Sequence, residues 1–172
     1  MHIILFFTYR VKIGDWIDSG LFEREIELYK ELVKKGYKVT FLSYDSKNYF
    51  DTLSSSGINH IPVFSDSNIP KSKIIYFFKS FLIIFKRQEI FKDADIFKTN
   101  QLLGSWIAIF SKLIFKKKLI VRTGYDLLEF TIQNNKSWNK KFLYYLLTQF
   151  ALFSSDLYSV TSNSDKQLLD KR

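Results

Sequence analysis

Apolar residues along this chain arrive in two alternating rhythms. The first is the unbroken run, beginning with "IILFF" at residues 3–7. Such a run, without polar alternation, marks a strand buried on both faces. Five more stretches read as strands: "YKVTFLSY" (37–44), "INHIPVF" (58–64, after a serine-rich turn and Gly57), "DADIFKTN" (93–100), "KKLIVRT" (117–123) and "DLYSVTS" (156–162). The second rhythm is helical. In "LFEREIELYKELVKK" (21–35), Phe22, Ile26, Tyr29 and Val33 recur at intervals of 4, 3 and 4, one stripe of a helix. Asp18 and Ser19 are suited to cap its start and Gly36 to end it. Residues 70–91, after Pro70, predict a long helix apolar nearly all round, 102–115 and 137–153 predict two more, and "NSDKQLLDKR" opens another. The segment from Thr8 to Gly20 reads as a polar loop.

Strand and helix alternate six times, which means right-handed crossovers and a parallel sheet. The predicted fold is therefore α/β: one doubly wound, Rossmann-like domain over residues 1–172, with about six strands and helices on both faces. In such sheets ligands bind outside the carboxyl ends of the strands, where the strand order reverses.

Composition narrows the chemistry. A chain of 172 residues buries roughly 70% of its unfolded surface and needs no staple. There is no cysteine, which excludes thiol catalysis, thiolate metal sites and disulfides. The two histidines, His2 and His60, each begin a predicted strand, the wrong end of the sheet for a triad or a metal, and both read as structural. No metal site is expected. The formal charge of +9 is lopsided: residues 1–70 hold 8 Lys/Arg against 9 Asp/Glu, whereas residues 71–172 hold 18 against 8. A basic half implies an anionic partner, either a membrane surface or phosphates, or else solvated lysines on helix faces. Nucleic acid is disfavoured, because the lysines are scattered among Phe and Ile without a recognition motif. No signal peptide is visible, and the longest near-apolar run, residues 74–85, is too short to span a bilayer. A cytoplasmic protein is expected.

The six glycines leave no G-x-G-x-x-G, no P-loop and no nucleophile elbow. Polar groups do gather at three strand ends: Asp15, Asp18, Ser19 and Gly20 after the first; Thr99, Asn100 and Gln101 after the fourth; Arg122 to Asp126 after the fifth. They converge if those strands are neighbours. Gly20, just ahead of a helix, reads equally as an anion site of free N–H groups or as a capping glycine. Asn100 and Gln101 read as ligand contacts or as caps of the next helix.

Three passages carry a resemblance. "DSGLFEREIELYKELVKKGYKVTFLSYD" resembles the opening of family-four glycosyltransferases of the GT-B fold, in which a glycine loop leads into the first helix and second strand. "DADIFKTNQLLGSWIAIFSKLIFKKKLIVRTGYDL" resembles the later passage closed by a T-x-G-x-D-like segment, and "YSVTSNSDKQLL" the last strand and helix of the amino-terminal domain. The resemblance covers the whole chain in order. It implies the acceptor-side half of an enzyme that moves a sugar, with retention and without a metal cofactor, from a nucleotide-sugar to a glycan or lipid-linked acceptor in bacterial surface polysaccharide assembly. It also implies work at the inner face of the membrane, where residues 71–92 with Lys71, Lys73, Lys79, Lys86 and Arg87 suit anionic lipid or simply cover the sheet.

On this resemblance Ser19, Gly20, Asn100, Gln101, Arg122, Thr123, Gly124 and Tyr125 are expected to bind substrate. Gly124 would admit a ligand close to the backbone, Tyr125 would stack on a sugar, and Arg122 would face a phosphate or pair with Asp126. Asp126 would accept a hydroxyl hydrogen bond or act as the base on the acceptor. Three departures qualify it. Ser19-Gly20 stands where the family often has two glycines, Thr123 stands where histidine is frequent, and residues 1–172 contain no counterpart of the donor-binding half with its acidic pair. The chain is thus expected to need that half in cis or in trans, as a fragment or a split-enzyme subunit. The competing expectation is a non-catalytic binding module.

Overall fold

The computed structural model describes residues 1–65 and 69–170. Six strands, β1 (His2–Phe6), β2 (Lys38–Ser43), β3 (Asn59–Pro62), β4 (Ile96–Thr99), β5 (Lys118–Thr123) and β6 (Leu157–Val160), form one sheet in the order β3-β2-β1-β4-β5-β6. Every pairing is parallel. The order reverses between β1 and β4, so the ends of β1, β4 and β5 do lie side by side.

Ten helices are present among the described residues: α1 (Ile13–Asp18), α2 (Phe22–Lys34), α3 (Phe50–Ser54), α4 (Lys73–Ser80), α5 (Leu82–Lys86), α6 (Gln88–Asp93), α7 (Ser105–Phe115), α8 (Leu127–Gln133), α9 (Trp138–Ser154) and α10 (Asn163–Asp170). They flank the sheet on both faces, as the alternation predicts. One core sets Leu5, Phe7, Val39 and Phe41 against Ile13, Trp16, Ile26 and Tyr29 of α1 and α2. The other sets Ile4, Phe6, Phe97, Leu119 and Val121 against α4 to α7 and the inner face of α9. β1 is buried along its whole length, whereas β4 and β5 alternate between buried and half-buried positions.

Four segments depart from the sequence expectation. The predicted loop Thr8–Gly20 contains α1, whose first turn is fixed by the Asp15 carboxylate accepting from the Lys12 N–H at 2.7 Å. Asp18 and Ser19 therefore end α1 and do not cap α2; the residue before α2 is Leu21, which offers no side-chain cap. α3 and α8 were not expected. The long helix of 70–91 is three pieces, interrupted at Phe81 and Arg87, although its buried stripe (Tyr76, Ser80, Ile83, Ile84, Phe91) keeps helical spacing across the breaks. Gly36 ends α2 as expected, with φ +82 and the N–H groups of Gly36 and Tyr37 donating back to Val33 and Leu32.

Candidate functional site

The crevice at the carboxyl ends of β1, β4 and β5 is assembled by backbone contacts between loops. The Tyr9 N–H donates to the Leu103 carbonyl at 3.0 Å, joining the β1 loop to the β4 loop. Gly104 makes this approach possible: its φ is +100, and a Cβ there would lie 2.9 Å from both Phe7 O and Tyr9 N. The Gly124 N–H donates to the Gln101 Oε1 at 2.8 Å, joining the β4 loop to the β5 loop. The Thr161 hydroxyl donates to the Gly124 carbonyl at 2.7 Å, extending the chain of contacts to the end of β6.

Thr8, Gln101, Leu103, Thr123, Tyr125 and Leu127 line a small indentation of about 20 Å³ here. Gln101, Thr123, Gly124 and Tyr125 are thereby brought together. The ring of Tyr125 is half-exposed and edge-on to Phe130 at 5.7 Å, leaving a face for a ligand to stack on. The Thr123 hydroxyl is turned inward, donating to the Tyr125 carbonyl at 2.5 Å. The space beside Gly124 is taken by Gln101: a Cβ would meet the Gln101 amide nitrogen at 2.8 Å, so a larger residue would displace that side chain. Asn100 is half-buried, and its N–H donates to the Phe6 carbonyl at 2.9 Å.

Asp126 is the N-cap of α8, accepting from the Glu129 N–H at 2.6 Å through Oδ1. It is buried. No ion pair joins it to Arg122 among the described residues. Arg122 leaves the group altogether, because its side chain lies on the α2 side of the sheet near Lys98 and Tyr29.

Ser19 and Gly20 are likewise removed from any free anion site. Gly20 has φ +70 and donates its N–H to Ile17 O at 3.0 Å, while Leu21 donates to Trp16 O at 2.9 Å. That six-to-one and five-to-two pattern closes the end of α1. The Ser19 hydroxyl donates to Asp15 O at 2.6 Å. Glu23 and Glu25 in the first turn of α2 make its start still less hospitable to an anion.

Sequence reasoning missed the groups on the other side of the crevice. Tyr9 packs edge-on against Tyr44, Tyr76 and Trp106, and the Arg10 guanidinium sits 5.4 Å above the Tyr76 ring. "TYR" (8–10), directly after the first strand, was the available signal. Beside this cluster an apolar groove of about 590 Å³ runs between α4, α7 and α9, lined by Tyr9, Phe77, Leu103, Trp106, Leu147 and Phe150 among others. Leu103 borders both the groove and the polar indentation. The Trp106 indole N–H has no hydrogen-bond partner among the described residues.

His60 is nearer the crevice than expected but sealed from it. Its Nδ1 accepts from the Tyr49 N–H at 3.0 Å and its Nε2 meets the Ser43 hydroxyl at 2.7 Å, which donates to Asp45 at 2.5 Å. Desolvation lowers its pKa to about 4, so the ring is neutral although Asp45 lies 3.9 Å away. The same burial raises the pKa of Asp45. With Ser43 fully buried and no carboxylate orienting the far nitrogen, this is a structural relay and no nucleophilic triad. No cluster of three or more metal-ligating side chains exists among the described residues.

No protein-family profile matches the chain, and no curated protein matches it in sequence. Solved structures do share its fold. Anabaena HepE in complex with UDP and glucose is similar over 99% of this chain and 41% of its own, at 11% identity and a TM-score of 0.61. The same protein in complex with UDP-glucose gives 99% and 49%, at 13% identity and a TM-score of 0.52. Acinetobacter baumannii MurG gives 94% and 42%, at 9% identity and a TM-score of 0.50. These neighbours are GT-B glycosyltransferases, and the chain spans less than half the length of each. The likeness shows a shared Rossmann-like fold.

Proposed function

We propose that this chain is the acceptor-side domain of a GT-B glycosyltransferase resembling family four. It contributes to transfer of a sugar from a nucleotide-sugar to a glycan or lipid-linked acceptor, and it depends on a donor-binding half in cis or in trans. The observation that carries the reading is that Leu103 borders both the small indentation at the switch point, where Thr8, Gln101 and Thr123 stand, and an apolar groove of about 590 Å³. One end offers Gln101, Tyr125 and the indentation's polar rim to a sugar, and the other offers hydrocarbon-sized apolar space. That pairing suits an amphiphilic acceptor. In this reading Asp126 receives the acceptor hydroxyl proton, Arg10 faces acceptor phosphate, transfer proceeds with retention, and no metal takes part.

The site of work would be the cytoplasmic face of a membrane. No helix among the described residues is long and apolar enough to cross a bilayer. Exposed Ile74, Ile75, Phe78 and Phe85 stand among Lys71, Lys73, Lys79 and Arg87, a combination that suits shallow burial in anionic lipid. A second reading, a binding module without catalysis, is favoured by the commitment of Asp126 to capping α8.

Titration of the chain with a polyprenyl-phosphate-linked monosaccharide in detergent, measured by isothermal titration calorimetry, tests the acceptor role. Saturable binding that Trp106→Ala abolishes is the expected result. Tight binding of UDP-glucose to this chain alone, with no response to the lipid-linked sugar, would place the donor here and overturn it.

A further inference from the structure

A parallel sheet is ordinarily buried on both faces, yet half of this one is open on the side of α2. Lys98 defines that side, donating to the Tyr29 hydroxyl of α2 at 2.9 Å. Strand alternation and register then place Ile96 and Lys98 of β4, Ile120 and Arg122 of β5, and Leu157 and Ser159 of β6 on the same face. On the opposite face Phe97, Leu119 and Val121 are 0% exposed. On this one Ile96, Lys98, Ile120 and Arg122 are half-buried and Leu157 is 55% exposed. α2 reaches as far as β4, and α10, which follows β6, buries none of its own side chains.

The open face also carries unbalanced charge. Lys98 is largely desolvated, its only hydrogen bond among the described residues goes to a neutral phenol, and burial and the Arg122 charge lower its pKa to about 8. Arg122 makes no side-chain hydrogen bond or ion pair among the described residues. Glu25, the one acid felt by Lys98, is held by Arg24 at 2.6 Å. The third cation of the face, Lys118, already pairs with Asp156.

We propose that this half-face docks an amphipathic α-helix of a partner polypeptide, with an aliphatic stripe against Ile96, Ile120 and Leu157 and carboxylates that pair with Lys98 and Arg122. The dimensions suit one helix. Three strands about 4.8 Å apart present a strip of roughly 10–14 Å, the width of a single helix with its side chains. The strand length of four to six residues corresponds to a helix of about 9–13 residues. A flat lipid surface would not reach the half-buried Ile96, Lys98, Ile120 and Arg122 beside α2, and a second copy of the same face would set Lys98 and Arg122 against cations. The inference stands apart from the sugar-transfer reading.

The probe is a synthetic 14-residue helical peptide with leucines at i, i+3, i+4, i+7 and i+11 flanked by glutamates, compared with the same peptide flanked by lysines. Binding to the whole chain is read by fluorescence anisotropy, and its location by the methyl NMR signals of Ile96 and Ile120. The glutamate peptide is expected to bind and shift both signals. Lys98→Met and Arg122→Met, which keep a long apolar stem and leave the fold intact, should together weaken it at least about 10-fold. Equal binding of the lysine peptide, an unchanged affinity in the double variant, or shifts confined to the Trp106–Phe150 groove would each overturn the proposal. So would no binding, or shifts of Ile96 and Ile120 that appear with rising protein concentration alone, the sign of a second copy.

Discussion

Replacing Asp126 separates two jobs that one carboxylate has been given. As the N-cap of α8 it holds the Glu129 N–H at 2.6 Å, and as the proposed base it takes a proton from the acceptor. Asn keeps the first job and loses the second; Ala loses both. Loss of an N-cap to Ala costs about 1 kcal/mol, which in a chain of this size lowers Tm by roughly 2–4 °C. Asn forfeits the attraction between a full charge and the helix N-terminus, about 0.5 kcal/mol or roughly 1–2 °C. Removal of a general base costs about 100- to 10,000-fold in the chemical step. Thermal melts of the chain and transfer rates measured with the donor-binding half supplied therefore give two independent readouts. The expected pattern is melting reduced mainly in Asp126→Ala and transfer lost in both. Asp126→Asn transferring within about threefold of the wild type would remove the base, and an unchanged melt for Asp126→Ala would remove the cap.

Two further outcomes follow from a buried histidine and the glycines. Because the folded pKa of His60 is about 4 and the unfolded value 6.5, the unfolded chain takes up the proton first as pH falls. The resulting stability is full above neutrality, declines by about 2–3 kcal/mol between pH 7 and pH 4.5 and levels off below pH 4; urea titrations should show this loss minus that of His60→Gln, and a difference independent of pH would refute it. Gly104→Ala adds a backbone collision at 2.9 Å to an unfavourable φ, whereas Gly20→Ala, with nothing within 4 Å, meets only the φ penalty of about 1–2 kcal/mol. Gly104→Ala should therefore be the more destabilising by at least about 1 kcal/mol in the same assay, and equal effects would mean that the loop contact is soft.

β1 and β2 were legible as runs that a buried sheet tolerates, the remaining strands by their β-branched and aromatic residues between turns, and α2 because its stripe and Gly36 agree. α1 was hidden by polar residues whose role is local: Asp15 and Ser19 bind the backbone of their own helix, which at the level of sequence is indistinguishable from a polar loop. α8 was hidden behind "YDLLEF", where Asp126 drew interest as chemistry and is in fact also the residue that starts a helix. At the crevice the sequence identified the three strand ends that meet. It did not identify which groups there face a ligand, since that depends on strand alternation. Arg122 and Thr123 are adjacent in the chain and point to opposite faces of the sheet, and Gln101 fills the space beside Gly124 that a ligand was expected to occupy. Tyr9, Arg10 and the groove at Trp106 come together only through packing of α4, α7 and α9, which no local pattern encodes.

The contacts that run from Tyr9 through Leu103, and from Gln101 through Gly124 to Thr161, bear on the entropy of recognition. Each loop side chain that a ligand must immobilise subtracts about 0.5–1.5 kcal/mol from affinity. Here several of those groups are already immobilised by one another before any ligand arrives. Cutting one tie, as Thr161→Val would, frees its neighbours in the unliganded protein and leaves the bound contacts at Gln101 and Tyr125 in place. Affinity would then fall through faster dissociation, with association rates nearly unchanged.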